Sequence, residues 1–195
     1  MGSGINMLFK GIHQVAPTDL GVSQLYLNKS KLEAIKKWFN PNHMELCAPL
    51  PVRDFGNGRL TLTDGHSRAF VAYQYKVKIP IVYDMDDMVT SETGQQLYKN
   101  DIVWCQRFHI ETIADLYNRI VDYSKYQSLW VKRCDFAYNL LTQTSEEERF
   151  QIQNRHPDLF LYGADKNLTI FYFENVQGQL FEFGRTAEDH PEMIL

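Results

Sequence analysis

Two spacings of apolar residues alternate along this chain, and the points where one gives way to the other mark its elements. Leu60-Thr61-Leu62-Thr63 repeats every second residue, the pattern of a half-buried strand. From Ala69 the spacing becomes helical, with Ala69, Phe70, Ala72 and Tyr73 on one side of a helix predicted over 66–76. Upstream, 12–16 reads as a first strand. Ser30 with Glu33 three residues later has the form of a capping box, and Leu32, Ile35, Trp38 and Phe39 continue as one apolar stripe until Asn40-Pro41 stops the helix. That stripe places Trp38 and Phe39 in the core. Residues 51–55 and 59–63 are expected to pair as a hairpin about Gly56-Asn57-Gly58. The second of those strands, the helix and a strand at 79–83 should form a right-handed βαβ unit.

The second half changes character. Thr112 and Asp115 suggest a capped helix start, with Ile113, Leu116, Tyr117, Ile120 and Val121 as its apolar face. A further helix over 129–141 carries Trp130, Cys134, Ala137 and Leu141, and another starts at Thr144-Ser145-Glu146 and ends before Pro157. Three strands rich in Phe and Tyr follow at 159–162, 168–174 and 180–183, separated by Asp165-Lys166-Asn167 and Val176-Gln177-Gly178-Gln179. The expected fold is α+β. A small mixed sheet with packed helices over 10–90 is followed by a helical segment over 100–156 and an antiparallel β meander over 157–195. Tyr162, Tyr172 and Phe173 could stack bases, but core packing is the better account of them.

Composition narrows the class. With 195 residues the chain can bury a substantial core, and 44% hydrophobic with 13% aromatic residues excludes a disordered chain. A net charge of −4 argues against a general polyanion-binding surface. Cys47, Cys105 and Cys134 are far apart, which gives neither a disulfide framework nor a zinc pattern and suits core thiols. No apolar run approaches the ~20 residues of a bilayer span, and no basic-then-apolar leader is present. A cytoplasmic protein with no membrane partner is the expectation.

The candidate chemistry sits in Asp64-Gly65-His66-Ser67-Arg68. Gly65 lets the backbone turn sharply, and His66, Ser67 and Arg68 form the first turn of the following helix. The free N–H groups and positive dipole end of such a turn attract anions, and Arg68 adds a fork of donors suited to phosphate oxygens. The same corner also occurs in many α/β units with no ligand, so spacing alone leaves both readings open. Beyond the last strand of this region, Asp84-Met85-Asp86-Asp87 is either a Mg²⁺-holding cluster or a solvated turn.

Asp64 to Arg68, followed by Ala69-Phe70-Val71-Ala72-Tyr73, resembles the signature of the ParB/sulfiredoxin superfamily, in which Asp-Gly-His-His-Arg precedes an Ala-rich helix. Leu50-Pro51-Val52-Arg53 is similar to the family's Pro-Ile-x-Val strand, and Ile79-Pro80-Ile81-Val82 to the strand that closes the unit. The match spans roughly residues 10–85. It implies a nucleotide (ATP, ADP or CTP, with Mg²⁺ as its companion) or a phosphorylated small molecule as ligand. Gly65, His66, Ser67, Arg68 and Arg53 would hold the phosphates, and His66 and Asp64 would be the catalytic pair. Sulfiredoxins place their reactive cysteine where this chain has His66, so that chemistry is not implied. Relatives include small-molecule kinases with an acidic residue near the first loop, where Asp19 is the nearest match, and CTP-binding segregation proteins that read DNA.

Two functions follow. One is a nucleotide-dependent phosphotransferase or nucleotide hydrolase, in which His66 is an acid–base group because free imidazole titrates near neutrality. The other is a nucleotide-sensing or DNA-associated binding module of the partitioning type. DNA is the less favoured partner, and the aromatic C-terminal strands are a candidate surface for a second copy or another protein.

Overall fold

The computed structural model describes residues 11–185 and 192–193. It is α+β, and the chain divides into two compact units, Met1–Tyr126 and Gln127–Leu195.

The first unit is built on a four-stranded mixed sheet. Its strands are β1 (His13–Val15), β3 (Leu50–Asp54), β4 (Leu60–Leu62) and β5 (Ile79–Tyr83), while β2 (Leu27–Asn28) pairs elsewhere, in parallel with β6 (Ile120–Val121). The order across the sheet is β1-β5-β3-β4. β5 runs parallel to β3 and antiparallel to β1, and β4 is antiparallel to β3, with Val52 opposite Leu62. The expected βαβ unit is therefore corrected. β4 and β5 are neither neighbours nor parallel, and the parallel pair is β3 with β5. Leu50 and Val52 are wholly buried, as are Leu62 and Ile81, so β3 earns an interior position with a neighbour on each side.

The hairpin forms as expected, but its turn differs. Asp54 Oδ1 accepts from the backbone N–H groups of Gly56, Asn57 and Gly58, and the positive φ angles fall on the two glycines rather than on Asn57. The turn is thus organised by a strand-end carboxylate.

Helix α1 (Lys29–Lys36) buries Leu32 and Ile35. Its cap is Asn28, whose Oδ1 accepts from the N–H groups of Ser30 and Lys31, rather than the expected Ser30. Because α1 stops at Lys36, the apolar stripe is broken: Phe39 is buried, but Trp38 is 56% exposed. Helix α2 (His66–Gln74) buries Ala69, Phe70, Val71 and Ala72, and packs on α1, the Pro17–Asp19 turn and the 3-10 helix Ile113–Arg119. The latter stands where a continuous α-helix was expected. Asp115 Oδ2 accepts from the Thr112 N–H as the capping pattern requires, yet after Arg119 the chain enters β6. Two helices precede it, the single turn α3 (Asp87–Thr90) and the 16-residue α4 (Glu92–Arg107). A last turn, α5 (Tyr123–Tyr126), ends the unit.

In the second unit a π-turn (Gln127–Val131) leads into α6 (Lys132–Gln143) and α7 (Glu146–Arg155), the latter capped by Ser145 Oγ accepting from the Glu148 N–H. β7 (Phe160–Ala164), β8 (Ile170–Glu174) and β9 (Leu180–Gly184) form the antiparallel meander, joined at its edge by β10 (Glu192–Met193) in the order β10-β9-β8-β7. Its core gathers Leu140, Ile152, Ala164, Leu168, Phe171, Phe173 and Phe183. Tyr162 and Phe173 are buried and Tyr172 stacks on Phe136 at 4.1 Å, so these rings pack inward. One ion pair is also buried there. Arg133 Nη2 lies 2.5 Å from Glu174 Oε2, both side chains are 5% exposed or less, and the guanidinium stands 4.4 Å from the Tyr162 ring.

Candidate functional site

The corner between β4 and α2 is fixed from several sides. The Thr63 N–H donates to the Pro51 carbonyl, its Oγ1 donates to the Asp84 carboxylate, and Tyr98 Oη donates to its carbonyl. Gly65 then takes φ 80°, and a Cβ there would lie 2.7 Å from a methyl of the buried Leu50. Only glycine meets both demands. No side chain caps α2, so its first-turn N–H groups have no side-chain acceptor among the described residues.

The predicted site residues take distinct places. Asp64 is exposed at the mouth of the corner, and Gly65 turns the chain. His66 and Ser67 are each 3% exposed. His66 Nε2 accepts from the backbone N–H of Ser23, 43 residues away in sequence, so its ring proton is on Nδ1. Burial pushes the imidazole from its ordinary 6.5 down to about 4, against an opposing pull from Asp64 and with a smaller push from Lys31. The near-neutral titration expected of His66 is thus corrected: it is a neutral, latched side chain at physiological pH.

Arg68 is half-buried. Its Nη1 donates to the Ala48 carbonyl at 3.2 Å, and it forms no ion pair among the described residues. The thiol of Cys47 donates to the same carbonyl, and burial raises its pKa despite the nearby guanidinium charge. Arg53 has other company. Its Nη1 donates to the Asp84 carbonyl at 2.8 Å, and its guanidinium lies 5.5 Å from the Tyr83 ring centre. Asp84 therefore stands between Arg53 and Thr63, joining the ends of β3, β4 and β5. Asp19 is exposed on the turn that packs against α2.

The carboxylates of Asp84–Asp87 are partly spent within the chain. Asp84 accepts from Thr63 Oγ1 and the Asp86 N–H, and Asp86 caps α3 through the Met88 N–H. Among the described residues no group of three or more His, Cys, Asp or Glu side chains is arranged to hold a metal ion. Nor is any helix among the described residues long and apolar enough to cross a membrane.

Sequence reasoning missed Ser23, Ala48 and Tyr98. Each acts through its backbone or a single hydroxyl across a long sequence separation, which leaves no local pattern. Thr63 and Asp84 are different, since a threonine ending one strand and an aspartate ending another are a visible pair once the strand ends are aligned.

No protein-family model, curated protein or solved structure matches this chain.

Proposed function

We propose that the first turn of α2 binds the phosphate of a nucleotide, with ATP, ADP and CTP as the first candidates, or of a phosphorylated small molecule. The observation that carries this reading is a helix start with no capping side chain beside a guanidinium that, among the described residues, is engaged only by a neutral carbonyl. Uncapped first-turn N–H groups, the helix dipole and an Arg fork act together on an oxyanion. The resemblance of residues 64–73 to the ParB/sulfiredoxin signature supports it. Gly65, Ser67 and Arg68 contribute contacts, His66 holds the turn in place, and Arg53 stiffens the floor through Asp84. Any Mg²⁺ arrives on the nucleotide's own phosphates.

Binding without turnover is the form favoured by His66, whose Nε2 is already engaged and which stays neutral well below physiological pH. In the phosphotransferase or hydrolase alternative, proton transfer falls to the exposed Asp64. Calorimetric titration of ATP, ADP and CTP, with and without Mg²⁺, is the test. Arg68→Ala should weaken binding by about 1–3 kcal/mol, the value of charge-assisted hydrogen bonds. Unchanged affinity removes Arg68 from the site. Phosphate release or transfer from bound nucleotide selects the enzyme, and salt-sensitive DNA retention without turnover selects the partitioning-type module.

A further inference from the structure

The second unit contains a cavity of about 230 Å³ between one face of α7 and strands β8 and β9. Glu148, Ile152 and Arg155 recur on α7 at the spacing of a single helix face, with Gln151 beside them, and they look across to Phe171, Phe183 and Arg185. The floor is apolar, because Ile152, Phe171 and Phe183 belong to the core of this unit. The His156 ring is wedged edge-on between Phe173 and Phe183, at 4.8 and 5.0 Å between ring centres, and forms a rigid end wall.

The rim is charged and unbalanced. Glu148 lies 3.5 Å from Arg185, which leaves Arg155 with no ion pair among the described residues. Among the described residues the rim therefore holds two guanidiniums against one carboxylate. A cation in the last turn of α7 is favoured by the helix dipole. That accounts for Arg155, but not for an apolar cavity under it or a second arginine facing it from the strand side.

We propose that this cavity binds a small organic anion: an apolar body of about one ring seated on Ile152, Phe171 and Phe183, with a carboxylate or phosphate head held at the rim by Arg155 and Arg185. The volume suits this, since a dry cavity of ~150 Å³ already accepts benzene. Each guanidinium can offer two parallel N–H groups to such a head. The site is built from residues of the second unit alone and shares none with the α2 corner.

The test titrates the full chain with benzoate and with phenyl phosphate while following the Ile152 methyl signal by NMR. Benzamide serves as the uncharged control and inorganic phosphate as the head group alone. A saturable shift with benzoate or phenyl phosphate supports the site, and the tighter of the two identifies its head group. Arg155→Gln and Arg185→Gln, both at exposed positions, should each weaken that binding about tenfold while leaving the circular dichroism spectrum unchanged. Three outcomes would overturn the proposal: no saturable shift with either anion, equal binding of benzamide, or equal binding of inorganic phosphate.

Discussion

Replacing His66 by glutamine separates the hydrogen bond of this side chain from its charge. Glutamine can offer Oε1 to the Ser23 N–H near where Nε2 now sits, but it does not titrate. In the native chain the imidazole is held down to about 4, against 6.5 for an unhindered histidine. Between those values the unfolded chain binds a proton that the folded chain refuses, so stability falls as pH drops from 6.5 towards 4 and levels off below. Above 6.5 both states are neutral and the group contributes no pH dependence. At ~1.4 kcal/mol per pH unit the full loss is about 3 kcal/mol, a large part of a typical domain's ~5–15 kcal/mol. Urea unfolding of the wild type and His66→Gln, stepped from about pH 7.5 to about pH 5, should show the wild type losing about 2 kcal/mol more than the variant. Carboxylates titrate in both proteins and cancel in the difference. A difference that stays flat across that range, or a His66 imidazole resonance titrating near 6.5 in the native chain, would refute the account of a buried, latched His66.

Other expectations follow from the same geometry. Glu174→Gln leaves the Arg133 charge buried without its partner and should cost about 3–5 kcal/mol by urea unfolding; the double change Arg133→Met with Glu174→Leu should recover most of it. Gly65→Ala meets both a left-handed backbone and Leu50, and should destabilise by about 1–3 kcal/mol, read as a lower urea midpoint at unchanged slope. Asp54→Ala frees three turn N–H groups to solvent and should cost only about 1 kcal/mol, because water can replace the lost acceptor.

Where a period was strong, the sequence was readable. Leu60 and Leu62 placed β4, Ile79 and Ile81 placed β5, and the three strands of the meander emerged from their aromatic runs and polar turns. α4 was not readable, because over its 16 residues only Gly94, Trp104 and Cys105 are buried, too few to draw a stripe. Trp38 was misplaced because spacing shows which side of a helix a residue would occupy, not whether the helix reaches that far. The cap was misplaced because Ser30 with Glu33 matches the capping-box pattern, whereas Asn28, two residues upstream, caps without a Glu or Gln three residues on. Strand order was hidden for a different reason: nothing in the residues of β4 says that β5 will pair beyond it with β3. At the candidate site the turn itself was legible from Gly65 and the change of period. The latch on His66 was not, since its partner is a backbone N–H that every residue except proline carries.

The position of β5 between β1 and β3 has a kinetic consequence. Both of its neighbours precede it in the chain, β3 with β4 and α2 in between and β1 with α1 and the whole β3–β4 hairpin in between as well, so the middle of that sheet can close only after two long loops are gathered. In the meander, β7, β8 and β9 each pair with the strand that comes next, and can zip one hairpin at a time. The slow folding step belongs to the first unit, and pulse-labelled amides of β8 should gain protection before those of β5.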